Sequence, residues 1–119
     1  MDRRSLGQRG ERLAREHLEA RGWVHLASNV RVGREEIDLV VLREGTLAFV
    51  EVKTRSDDRF GLPAQAVDRR KQARIRRVAR AWLCTHPQPR ASLRFDIVSV
   101  LVDRRGGTVR IDVFEDAWR

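Results

Sequence analysis

The chain has 119 residues and a formal net charge of +8, with 25 Lys and Arg against 17 Asp and Glu. That length carries one hydrophobic core, so a single domain over residues 1–119 is expected, and 41% apolar with 35% charged residues describe a globular chain with a heavily charged surface. The apolar runs are too short to span a bilayer, the charged start Met1-Asp2-Arg3-Arg4 leads into no secretory signal, and the lone Cys84 makes no internal disulfide, so the expectation is a cytoplasmic protein with no membrane partner.

Leu6, Gly10, Leu13, Ala14 and Leu18 recur at helical spacing and place a first helix over about Leu6 to Ala20, with Gly22 as its stop. Trp23 to Val32 reads as extended, with Asn29 as an irregularity. Glu35 to Arg43 and Thr46 to Arg55 are two strands joined by Glu44-Gly45, a two-residue hairpin signal. After a polar loop at Ser56 to Gly61, Pro63 suits the first turn of a second helix that runs to about Leu83, closed by His86-Pro87-Gln88-Pro89. Ser92 to Val102 and Thr108 to Phe114 are the last two strands. The order α-β-β-β-α-β-β is α/β, with a central mixed five-stranded sheet flanked by helices.

The hairpin carries the chemistry. With Glu44-Gly45 as a two-residue loop, facing residues have numbers that sum to 89, and Asp38 faces Glu51. Facing Cβ atoms of an antiparallel pair lie roughly 4.5–5.5 Å apart, and like charges there are destabilising. A divalent cation answers that repulsion. The period of two puts Glu36, Asp38, Val40 and Leu42 on one face with Leu47, Phe49, Glu51 and Lys53, and Ile37, Leu39 and Val41 on the other with Ala48, Val50 and Val52. The result is an acidic pocket at the edge of an otherwise apolar face. A hard cation such as Mg2+ takes carboxylate oxygens, a backbone carbonyl and water, which Asp38, Glu51 and the carbonyl of Val52 would supply. Lys53 would orient or deprotonate the attacking water, or stabilise the developing negative charge. The plainer alternative is a Glu36–Lys53 salt bridge with Asp38 and Glu51 exposed at an edge.

Gly10-Glu11 with Ala14 and Leu18, then Gly22, Asn29, Arg31, Glu36-Ile37-Asp38-Leu39, Phe49-Val50-Glu51-Val52-Lys53-x-Arg55, Phe60-Gly61, Val67, Lys71 and Arg94-Phe95-Asp96 resemble the YraN-like family of small bacterial proteins. The resemblance covers about Gly7 to Val100. It differs at Glu35, where the family usually has Gly before its Glu-Ile-Asp. It implies a restriction-endonuclease-like fold of the PD-(D/E)XK superfamily, close to Holliday-junction resolvases. It also implies Mg2+ or Mn2+ on Asp38 and Glu51, and phosphodiester hydrolysis assisted by Lys53. Resolvases of similar fold act as dimers, so a homodimer is compatible with the resemblance, although no interface is legible.

Glu11 lies on the edge of the first helix's apolar stripe, where Gly7 and Gly10 would let the helix approach the sheet; it is a third carboxylate for the metal or the nucleophile water, as in resolvase-like sites. Its alternative role is an acid near the positive helix N-terminus. Only two lysines, Lys53 and Lys71, stand among 23 arginines. Base composition explains the arginine excess, but it nominates the two lysines as places where a guanidinium does not serve. Lys71 interrupts the apolar stripe Val67, Ile75, Val78 and Trp82 and would reach the pocket or snorkel to solvent, while Gln65 is a further candidate near the start of that helix. Arg70, Arg74 and Arg77 form a second stripe that, with Arg55 and Lys71, would hold a polyanion beside the acidic site. Asp96 reads as a structural ion-pair residue.

These features point to a metal-dependent endonuclease acting on DNA, on branched or otherwise structured substrates. The alternative is a catalytically silent nucleic-acid-binding module of the same fold. A third reading, a basic face for an acidic protein partner, predicts binding that nucleic acid does not compete away.

Overall fold

Gly10, Leu13, Ala14 and Leu18 are the buried stripe of the first helix, α1 (Arg3–Glu19), in the computed structural model of the chain. The helix starts ahead of its apolar stripe because Asp2 caps it, its carboxylate accepting the Ser5 N–H at 2.8 Å. The structure describes residues 2–56, 68–103, 105 and 107–118. The expected polar loop, the helix start at Pro63, and Gln65 and Val67 therefore lie outside the described residues, except for Ser56. The second helix, α2 (Arg69–Thr85), is capped by Asp68, which accepts the Lys71 N–H at 2.8 Å, and buries Ile75, Val78, Ala79 and Trp82.

The strands follow their expected bounds closely: β1 (Val24–Val32), β2 (Glu35–Arg43), β3 (Thr46–Arg55), β4 (Ser92–Val102) and β5 (Thr108–Phe114). Glu44 and Gly45 have φ of 50° and 78°, the left-handed pair that a tight hairpin loop needs, and the β2–β3 pairs sum to 89 from Arg43–Thr46 to Leu39–Val50. The sheet order is β1-β2-β3-β4-β5, with β3 and β4 parallel and all other neighbours antiparallel. This is the expected mixed α/β arrangement, consistent with a restriction-endonuclease-like fold.

The helices cover opposite faces. On the α1 side, Leu13, Ala14 and Leu18 pack with Trp23, Leu39, Val41, Val50, Val98 and Val100. On the α2 side, Ile75, Val78 and Trp82 pack with Ile37, Val40, Leu47, Phe49 and Ile97. The uninterrupted buried run Leu47-Ala48-Phe49-Val50 is what a central strand covered on both faces requires. Gly10 sets the spacing on the α1 side, since a Cβ there would lie 1.7 Å from Thr54 Oγ1. Gly7, expected to share that role, has open space around it.

Asp96 is structural, as expected. It is 3% exposed and accepts Arg94 Nε and Nη2 at 2.9 Å each and the Asp116 N–H at 2.9 Å. The chain end closes over this corner: Ala117 N–H donates to Phe95 O at 2.8 Å, and Trp118 stacks on Phe95 with ring centres 4.2 Å apart. No helix among the described residues is long and apolar enough to cross a membrane.

Candidate functional site

The site forms where β2 leaves β3. The β2–β3 pairs run to Leu39–Val50, while β3 stays paired with β4 through Arg55. Asp38 is therefore not a ladder partner of Glu51. Its Oδ2 accepts the Val52 N–H at 2.7 Å, taking the place a strand carbonyl would have held. The strict alternation expected for β2 also fails here, since Ile37 packs on the α2 side with Val40 rather than with Leu39 and Val41. The neighbouring strand shows the cause. Asn29, between the Ser28–Leu39 and Val30–Ile37 pairs, has a left-handed φ of 54°. Asn tolerates that conformation better than most residues, and the kink locally resets which side each residue faces.

The kink turns Asp38 toward α1. Carboxylate oxygens of Glu11, Glu36 and Asp38 all lie within 4.8 Å of one another. Glu11 stands with Glu36 and Asp38 rather than against the helix terminus, because the close approach at Gly10 delivers the next residue to the sheet edge. Asn29 Nδ2 donates to Glu11 Oε2 at 3.4 Å, so the irregular residue of β1 is also a partner of the acidic cluster. Its signal was there: Asn is depleted inside strands. Glu36 is held by Arg31, with Nη2 at 2.7 Å and Nε at 3.3 Å, and not by Lys53.

Glu51 turns toward α2. Its Oε1 accepts Lys71 Nζ at 2.7 Å and Lys53 Nζ at 3.1 Å, which replaces both the snorkelling and the salt-bridge alternatives. Its Oε2 is buried with no hydrogen-bond partner among the described residues. A buried carboxylate oxygen without a donor is costly and marks a place for a cation or ordered water.

The electrostatics follow from this crowding. Burial pushes the Asp38 carboxyl up to about 7, against the bond from Val52 and with the added repulsion of Glu11, Glu36 and Glu51. Burial, then the charge of Glu36, raises Glu11, partly offset by a hydrogen bond with Asp38. Burial works against the Lys71 ammonium, but the hydrogen bond and charge of Glu51 outweigh it and hold its pKa above the ordinary lysine value.

The basic residues lie alongside. Arg70, Arg74 and Arg77 are exposed on α2, and Arg74 Nε is 3.6 Å from Glu35 Oε2, so the Glu35 side chain faces the arginine stripe. Arg34, Arg74 and Arg77 line one hollow beside Val32 and Glu35. Arg55 lines another with Glu11, Val52 and Lys53.

The chain matches the model of the uncharacterised protein family UPF0102 over residues 10–100. It is 49% identical over 107 residues to a UPF0102 protein of Parafrankia sp. strain EAN1pec, covering 90% of each chain. It is 43% identical over 112 residues to one of Clavibacter michiganensis, covering 94% of each. For one from Dictyoglomus thermophilum the identity is 37% over 106 residues, covering 89% of this chain and 90% of the relative. The family model covers residues 10–100 and the relatives nearly the whole chain, so the chain belongs to the UPF0102 family, the YraN-like family that its motifs resemble.

Proposed function

We propose that this protein is a metal-dependent endonuclease that hydrolyses DNA phosphodiester bonds, with branched or structured DNA as its substrate. The observation that carries this reading is the gathering of Glu11, Glu36 and Asp38 carboxylates within 4.8 Å, together with Glu51, which is near enough to add to the repulsion on Asp38 and whose second oxygen is buried without a partner among the described residues. An all-oxygen donor set fits Mg2+ or Mn2+. Asp38 and Glu51 would hold the ion, with Glu11 and the carbonyl of Val52 completing the protein share. Glu36, already paired with Arg31, sits at the rim.

When bound, such an ion acidifies a water and neutralises charge on a phosphoryl oxygen. The chain's own residues do the rest. The Val52 N–H fixes the Asp38 carboxylate, and Asn29 orients Glu11. The Lys53 ammonium, at the end of β3 beside Glu51, orients the attacking water and stabilises the charge that develops on phosphorus oxygens. Water adds at phosphorus and releases a proton to solvent, one P–O ester bond breaks, and the leaving oxygen takes up a proton from solvent. Arg70, Arg74 and Arg77 hold the phosphates on either side without reading sequence.

A cleavage assay tests this on labelled single-stranded, duplex, flap and four-way-junction DNA with Mg2+, Mn2+ or EDTA. The expected result is metal-dependent cutting that Asp38→Ala and Glu51→Ala abolish with DNA binding largely retained, and a severe loss in Lys53→Arg. Salt-sensitive binding with no cutting under any condition would sink the enzyme reading and leave the silent binding module.

A further inference from the structure

The chain has only two lysines, and both end on one atom. Lys53 Nζ and Lys71 Nζ lie 3.1 and 2.7 Å from Oε1 of Glu51. Lys53 comes from the same strand, two residues on, whereas Lys71 reaches over from α2 and makes the shorter contact. One Glu51 oxygen is thus doubly compensated, while its second oxygen and the carboxylates of Glu11 and Asp38 receive no ammonium among the described residues. The mechanism above gives Lys71 no task.

We propose that Lys71 is the counter-ion of Glu51 while the cation and DNA are absent, and that it passes to a DNA phosphate when they bind, so that the two ligands strengthen each other's binding. The inference rests on the metal reading of this site.

Three features support the handover. A divalent ion on Glu51 would repel both ammonium groups, and of the two Lys71 makes the closer contact and comes from a separate element, whereas Lys53 sits two residues on in the same strand, so Lys71 is the one to yield. Its side chain is 27% exposed and starts from the helix that also carries exposed Arg70, Arg74 and Arg77, so a phosphate held there offers it a second anion within reach of a flexible stem. The residue type is also the one the task needs. A guanidinium grips a carboxylate by both oxygens with a rigid fork, whereas an ammonium holds one oxygen as a point charge and leaves the other open. A chain that uses arginine nearly everywhere else keeps lysine here.

The test is Mn2+ binding, measured calorimetrically on the full chain with and without a cleavage-resistant phosphorothioate duplex. For the wild type, the duplex is expected to tighten Mn2+ binding about tenfold, within the usual range of coupling between two sites. Lys71→Met should bind Mn2+ about tenfold tighter than wild type without DNA, and the duplex should then add less than about threefold. Lys71→Arg, which keeps the charge but clamps both oxygens, should bind Mn2+ more weakly than wild type and serves equally if the methionine variant does not fold. Wild-type Mn2+ binding that neither substitution changes, or an undiminished duplex effect in the variants, overturns the handover while the metal site stands. Absence of Mn2+ binding in wild type and variants alike overturns the metal reading itself, and the handover with it.

Discussion

Asp96 and Asp38 are both aspartates withdrawn from water on the same sheet, and they are built in opposite ways. Asp96 meets a guanidinium fork and a backbone N–H, so both of its oxygens are engaged. Asp38 meets one backbone N–H and then acids: Glu11, Glu36 and, further off, Glu51. The first arrangement is complete without any visitor and ties β4 to the chain end. The second leaves negative charge that only a proton or a cation relieves. Burial of a carboxylate therefore says little by itself; what surrounds it separates an acid whose charge is met from one whose charge is not.

Removing the satisfied acid should break its half of the comparison most visibly. Asp96→Ala takes the paired carboxylate from Arg94, leaving it the exposed Glu115 at 3.7 Å, and the acceptor from the Asp116 N–H, so a loss of about 3 kcal/mol in urea unfolding is expected for breaking a largely buried pair from one side.

The crowded acid should respond in the reverse direction. Asp38 ionises at about 7 in the folded chain against 3.8 ordinarily, so the folded state keeps a proton that the unfolded state releases. Stability then falls as pH rises from about 4 to about 7 and levels off above that. Asp38→Asn keeps an acceptor for the Val52 N–H without the charge. It should be more stable than wild type by about 2–4 kcal/mol at pH 8 and no more stable at pH 4. Thermal melts across that range check both ends, and a variant less stable than wild type at pH 8 would contradict the account of Asp38.

Gly10→Ala sharpens the link between the helix and the acids. The new methyl would overlap Thr54, and an overpacking cost of about 1–3 kcal/mol is expected. Because α1 must withdraw, Glu11 moves off Asp38, so the fall in stability between pH 4 and 7 should also become shallower in denaturation curves.

Much of this was legible from residue order. The helical stripes and the alternation of apolar residues mark every strand and the buried face of each helix, and Glu44-Gly45 fixes the hairpin register down to Leu39–Val50. Asp38, Glu51, Lys53 and Glu11 stood out as acids and a lysine where apolar residues belong. What pattern reading could not supply was the break at Asn29, because a period of two has no means of representing one left-handed residue in the adjacent strand. That single kink reverses the side taken by Ile37 and sends Asp38 to α1 instead of Glu51. The lysine pairing was hidden for a different reason, since whether Lys71 reaches Glu51 or water depends on how far α2 sits along the sheet.

The parallel pairing of β3 with β4 bears on the order in which the molecule assembles. Thr46 pairs with Ser92, across a crossover that contains α2, whereas β1, β2 and β3 are joined by tight turns. Loop-closure entropy favours the local meander first and delays the non-local strand. Glu36, Asp38 and Glu51 all belong to that meander, while Lys71 arrives only when α2 docks. The meander thus brings Glu51 together with Lys53, and the second, shorter ammonium contact is made only when α2 seats.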